Sequence, residues 1–149
     1  MAKPFSLQPL LDIMQERSDE ATRRLGQLIA AEQNQKSRLG MLEGYRAEYA
    51  KKLKIAIETG ITPLVLQNYR DFLARIDEAI EQQVRMVNQS ETDTRRGQDE
   101  WRQQNRQLKA LDTLSQRHDQ RELMRENKQD QKIQDEFSTR KYSRAPDEA

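Results

Sequence analysis

The 149-residue sequence contains no cysteine, only five glycines, four prolines and one histidine, and 5% aromatic residues. Without a thiol there is no disulfide framework, no thiolate metal site and no cysteine nucleophile. His118 has neither a second histidine nor a cysteine with which to complete a metal site or a nucleophilic pair. Gly26, Gly40, Gly44, Gly60 and Gly97 never take the spacing of a phosphate-cradling loop. No run approaches the ~18 apolar residues that cross a bilayer, and no basic stretch leads into a short apolar core as in a secretory signal. The expectation is a cytoplasmic chain with no metal, no cofactor and no catalytic residue.

An excess of one charge is also missing. Lys and Arg number 26 against 25 Asp and Glu, for a net charge of +1, and residues 7–58, 63–111 and 112–149 each lie within one charge of neutrality. Nucleic acid needs a basic stripe that displaces counterions, and a membrane-surface helix needs a basic polar face. Neither is an expected partner. Carboxylates are plentiful, but a pair suited to acid and base work needs a desolvating pocket, which paired helices do not offer.

Charged and hydrophobic residues each make up 34% of the chain. That apolar share lies below the ~45–50% of ordinary globular domains, which argues against a single enclosed core. Disorder normally accompanies a large net charge or a low-complexity bias, and here charges cancel while apolar residues recur throughout. Long helices that bury one narrow stripe fit better.

Proline marks where such helices end, because it lacks the N–H and clashes with the preceding turn. The four prolines stand at 4, 9, 63 and 146, leaving one interior break at Thr59-Gly60-Ile61-Thr62-Pro63. Gly60 suits the left-handed cap of one helix, Thr62 the N-cap of the next, and Pro63 its first position. Helices joined by so short a link run back along each other.

Alternating steps of four and three from Leu7 to Ala56 land on fifteen positions, eleven of them apolar, with Ser18, Glu32, Gln35 and Arg46 the exceptions. The same stepping from Leu66 to Leu111 lands on fourteen, nine of them apolar. Repetition over about seven heptads predicts a left-handed coiled coil. If the turn pivots near Ile61, positions whose numbers add to 122 face one another: Leu53 and Tyr69, Tyr49 and Leu73, Leu42 and Ile80, Met14 and Leu108. Trp101 falls opposite Ala21 and Leu25 opposite Gly97, large against small, which lets a seam accept an indole without splaying. Polar residues meet mid-seam, Glu32 opposite Ser90 and Gln83 opposite Leu39, where the packing is expected to be looser and to fix register. Helices of about 50 residues at ~1.5 Å per residue make a thin rod, expected to be an elongated monomer.

Beyond Leu111 the stripe turns polar at Ser115, His118, Glu122 and Arg125 while helix-forming residues continue. The expected organisation is all-α: an antiparallel coiled-coil hairpin over residues 1–125 with its turn near 59–63, then a marginally helical tail over 126–149. The tail is expected to fray alone or to order on a partner, with Ile133 and Phe137 as apolar anchors. Nearer the turn, Tyr45 and Phe72 lie off the seam, beside Leu42, Tyr49 and Ile76. Grouped exposed aromatics are typical of binding hot spots, although each ring is also placed to cover the seam edge.

Several stretches together resemble the flagellar FliJ family. They are Met41-Leu42-x-x-Tyr45-x-x-Glu48-Tyr49, Gly60-Ile61-Thr62, Asn68-Tyr69-x-x-Phe72 with Ala79-Ile80, Trp101, and Glu126-Asn127-x-x-Asp130-Gln131-Lys132-x-x-Asp135-Glu136-Phe137. The resemblance covers nearly the whole chain. It implies a non-enzymatic component of the flagellar type III export apparatus, held in the cytoplasm at the inner face of the cell membrane. Its implied partners are the export ATPase ring with its regulator, the cytoplasmic domain of the export gate, and export chaperones. The gate-binding face implied is Leu42, Tyr45, Tyr49, Phe72, Ile76 and Ala79, flanked by Arg38 and Gln83. Asp130, Lys132, Ile133 and Phe137 are the implied contacts of the tail with the ATPase ring. The competing readings are the stalk protein of a virulence-type secretion system and an unrelated tethering coiled coil. The tail box favours the flagellar reading over the first, and the single short turn stands against the second.

Overall fold

The computed structural model describes residues 3–143. Two helices make up nearly all of it: α1 spans Gln8–Thr59, 52 residues, and α2 spans Pro63–Ser143, 81 residues. No strand occurs among the described residues. The architecture is the expected all-α helical hairpin.

The link between the helices forms as its residues dictate. Gly60 takes a φ of 95°, in the left-handed region that carries no penalty for a residue without Cβ, and its amide donates to the Ile57 carbonyl at 3.3 Å. Thr62 then caps α2: its hydroxyl accepts from the Val65 amide at 3.3 Å and its carbonyl from the Leu66 amide at 3.0 Å. Pro63 opens the helix at a position whose N–H has no helical acceptor.

The chain groups into two compact units. One runs from Asp19 to Arg102 and contains the turn; the other joins residues 3–18 to residues 103–143. The expected boundary at 125/126 falls inside the latter unit. The end of the expected tail, 144–149, lies outside the described residues.

Within Asp19–Arg102 the heptad stepping locates the seam. Of its positions on α1 only Arg46 is exposed, and every one on α2 is buried or half-buried. The lowest exposures belong to Ala21, Ile76, Gln83, Val87, Thr94 and Gly97. No described side chain falls below 2% exposure, because two helices can shield each other on one side only. Cross-helix contacts follow the antiparallel register. The Thr94 hydroxyl donates to the Leu28 carbonyl at 3.3 Å, the Trp101 indole N–H donates to the Thr22 hydroxyl at 3.0 Å, and Arg46 pairs with Asp77. Gly97 leaves room for leucines: a Cβ there would lie 2.6 Å from Leu28 Cδ1 and 3.7 Å from Leu25 Cδ1.

Gln83 departs from its expected neighbour. Its amide donates to the Gln35 side-chain oxygen at 2.7 Å and to the Gln35 carbonyl at 3.0 Å, one turn along α1 from Leu39. A buried amide left without a partner costs free energy, and a leucine offers no acceptor. The polar centre is therefore a bonded amide pair.

In the other unit Ser115, His118 and Glu122 are half-buried although polar. The chain ahead of α1 lies against His118 and Glu122. His118 Nε2 sits 2.8 Å from the Lys3 carbonyl, the Phe5 and His118 rings are 5.5 Å apart, and the Lys3 amide donates to Glu122 Oε2 at 3.3 Å. Farther on, every residue from 127 to 143 is exposed.

Candidate partner-binding site

Three aromatic rings meet at the edge of the seam close to the turn. Tyr49 and Phe72 stack with centroids 4.0 Å apart and planes inclined by 27°, and Tyr69 lies 5.9 Å from Tyr49 at 57°. The heptad register puts them there: Tyr49 and Tyr69 are seam positions on opposite helices, and Phe72 follows Tyr69 by three residues. Offset stacking adds roughly 0.5–1.5 kcal/mol to the burial of the rings. Lys52 Nζ stands 5.6 Å from the Tyr49 centroid, within cation–π range. Tyr49, Lys52, Val65, Asn68, Tyr69 and Phe72 together line an open depression of about 370 Å³.

An ion pair also links the two helices. Arg46 Nε donates to Asp77 Oδ1, and that hydrogen bond, reinforced by the carboxylate's charge, pushes the guanidinium above its ordinary value. Both partners stay about half exposed, so the pair contributes little to stability.

The residues expected to form a binding face divide into two groups. Tyr45 is 52% exposed, Phe72 is exposed at 39%, and Arg38 also faces solvent. Leu42, Tyr49 and Ala79 are half-buried. Ile76 and Gln83 are buried in the seam, at 7% and 8% exposure, and Gln83 bonds across it to Gln35. Tyr45 lies one helical turn before Tyr49 on the same flank. In the tail, Asp130 and Lys132 are exposed, Ile133 is 63% exposed and Phe137 69%.

The Tyr49–Phe72 stack, the third ring at Tyr69 and the position of Lys52 were not read from sequence. Heptad register brings these positions near one another, but ring orientation follows from side-chain rotamers, which spacing does not specify.

The model of the family described as Flagellar FliJ protein matches residues 3–147. Flagellar FliJ proteins of Escherichia coli (strain K12) and of Salmonella typhi are each 32% identical to the chain over 147 residues, covering 99% of it and all of their own length. The chain belongs to the FliJ family. It is thereby a member of a family of the flagellar protein export apparatus, a type III secretion system. A solved structure of a candidate YscO homolog from Chlamydia trachomatis matches 95% of this FliJ-family chain and 96% of its own, with a TM-score of 0.55 and 15% identity. That likeness is one of fold. No helix among the described residues of the FliJ-family chain is long and apolar enough to cross a membrane, and no cluster of described His, Cys, Asp or Glu side chains is placed to hold a metal ion.

Proposed function

We propose that this FliJ-family chain is a non-enzymatic coupling component of flagellar export, linking the export ATPase ring to the membrane export gate and escorting export chaperones. The aromatic flank around Tyr45, Tyr49 and Phe72 binds the cytoplasmic domain of the gate. The exposed helical stretch carrying Asp130, Lys132, Ile133 and Phe137 binds the ATPase ring and its regulator. The chain works in the cytoplasm at the inner face of the membrane, attached through these partners.

The observation that carries this reading is the aromatic flank itself. Half-exposed rings stand on an ordered edge of the seam, backed by buried Ile76 and by the Gln83–Gln35 pair. Such an edge offers large contact area at little entropic cost, because the rings are already held. Arg38 and Leu42 extend it away from the turn, and Ala79 lets a partner approach closely.

Replacement of both exposed rings tests the reading. Tyr45→Ala with Phe72→Ala is expected to weaken binding of the gate's cytoplasmic domain by at least about tenfold, with helicity by circular dichroism retained. Unchanged affinity in that double variant rejects the assigned face. The reading as a virulence-type stalk rests on fold likeness alone and gains no support from the aromatic flank.

A further inference from the structure

The flank that carries Tyr45 continues past Tyr49 toward the turn. Tyr45, Lys52 and Ile55 follow one another on this side of α1 at helical spacing, and Val65, Asn68 and Phe72 do so on α2. Tyr45 and Ile55 are 52% and 54% exposed, and Val65 and Phe72 are each 39% exposed. Between the helices lies the depression of about 370 Å³. Its volume is at the lower end of the ~300–1,000 Å³ of ligand pockets, enough for one large side chain with a little of the backbone that bears it.

The chemistry of the lining is one-sided. Three aromatic rings and Val65 supply apolar surface, Asn68 brings an amide that both donates and accepts, and Lys52 is the only charged residue. The Lys52 ammonium leans over Tyr49, and no carboxylate among the described residues pairs with it, Glu48 one turn back included. A cation that meets a ring but no carboxylate, beside an apolar hollow, complements an apolar side chain next to an acidic one. A lipid surface fits less well: the hollow is concave and carries directed polar groups, and a single lysine gives weak attraction to anionic headgroups.

The geometry points to an anchor pocket: the depression seats one apolar side chain of a protein partner, and Lys52 pairs with a carboxylate adjacent to it in the partner's chain. This rests on the gate-binding face proposed above. It extends that face toward the turn, onto Lys52, Val65, Asn68 and Tyr69, none of which is among the gate-binding residues that the family resemblance implies.

The test is calorimetric titration of the full-length chain with the purified cytoplasmic domain of the export gate. Lys52→Glu reverses the rim charge, Val65→Trp fills the hollow, and Tyr45→Ala reports on the face apart from the pocket. Lys52→Glu and Val65→Trp are each expected to weaken binding by about tenfold with helicity unchanged. Lys52→Gln is expected to weaken it less and to flatten its salt dependence. Binding that is lost in Tyr45→Ala but intact in Lys52→Glu and Val65→Trp overturns the anchor and leaves the face standing. No complex with the unaltered chain rejects the face and the anchor together. Self-association of the chain that Val65→Trp abolishes assigns the hollow to a second copy and also overturns the proposal.

Discussion

The seam between Asp19 and Arg102 and the far end of α2 are built from similar residues and held in different ways. Along the seam each helix supplies the other's missing surface, so Ile76 and Val87 reach 7% exposure and the polar Gln83 and Thr94 find cross-helix acceptors. From residue 127 to 143 the same helix continues with every side chain exposed, Ile133, Phe137 and Tyr142 among them. Local propensity and the helix's own backbone hydrogen bonds are what hold it there. Such a stretch is marginal in water without a packing partner. An aromatic residue at an ordered edge and one on an unsupported helix are therefore held in place at different entropic cost.

The comparison breaks most completely if the seam is given a charge it cannot solvate. Ile76→Asp places a carboxylate at a buried position and is expected to cost ~3 kcal/mol or more, read as a large fall in the midpoint of thermal unfolding. It is also expected to abolish gate binding, since the aromatic edge depends on the seam behind it. Gly97→Leu is the next in size. A Cβ at 97 already meets Leu28 at 2.6 Å, and although the end of Leu28 can swing away from a methyl group, a branched side chain overfills the space. The expected loss is about 1–3 kcal/mol by chemical denaturation.

Amide hydrogen exchange sharpens the contrast without mutation. Amides of residues 76–101 are expected to exchange only on global unfolding, and those of 127–143 through local opening, many times faster. Equal protection in the two stretches removes the distinction. The smallest effect belongs to Arg46→Ala, which deletes the exposed pair with Asp77: ~0.2–1 kcal/mol at low ionic strength, fading as salt is raised.

Much of this was legible in the residues. Three-four stepping found the seam because burial along a straight helix pair repeats with a fixed period. The link was readable because Gly60, Thr62 and Pro63 each suit one backbone position. Numbers adding to 122 placed Leu25 against Gly97, and the structure adds Leu28 as the tighter neighbour. Gln83 shows where register arithmetic stops, since it pairs positions by height along the helices while a long amide reaches for whatever acceptor is near. His118 and Glu122 show another limit. The polar ladder there gave no sign of burial, because what covers it is the irregular segment at Lys3 and Phe5, and such a segment has no period to detect.

The candidate face divides in the same manner. Tyr45 and Phe72 were visible as aromatics off the stripe, and the resemblance to the FliJ family joined them to Leu42, Tyr49, Ile76 and Ala79. The stepping already puts Ile76 and Gln83 on the seam and Tyr45 off it, and the folded chain adds how far each is exposed. Spacing assigns a residue to a side of a helix, whereas exposure also depends on how far the partner helix and its side chains reach across.

The lack of cysteine and of charge excess, the heptads and the single break determined an all-α hairpin with one apolar seam. They did so because periodic burial and helix termination are local properties, written in the spacing of residue types. The stack of Phe72 on Tyr49, the hollow beside Lys52, the bonding of Gln83 to Gln35 and the covering of His118 were decided only by tertiary structure. Each depends on rotamers and contacts between residues far apart in sequence, which no local pattern encodes.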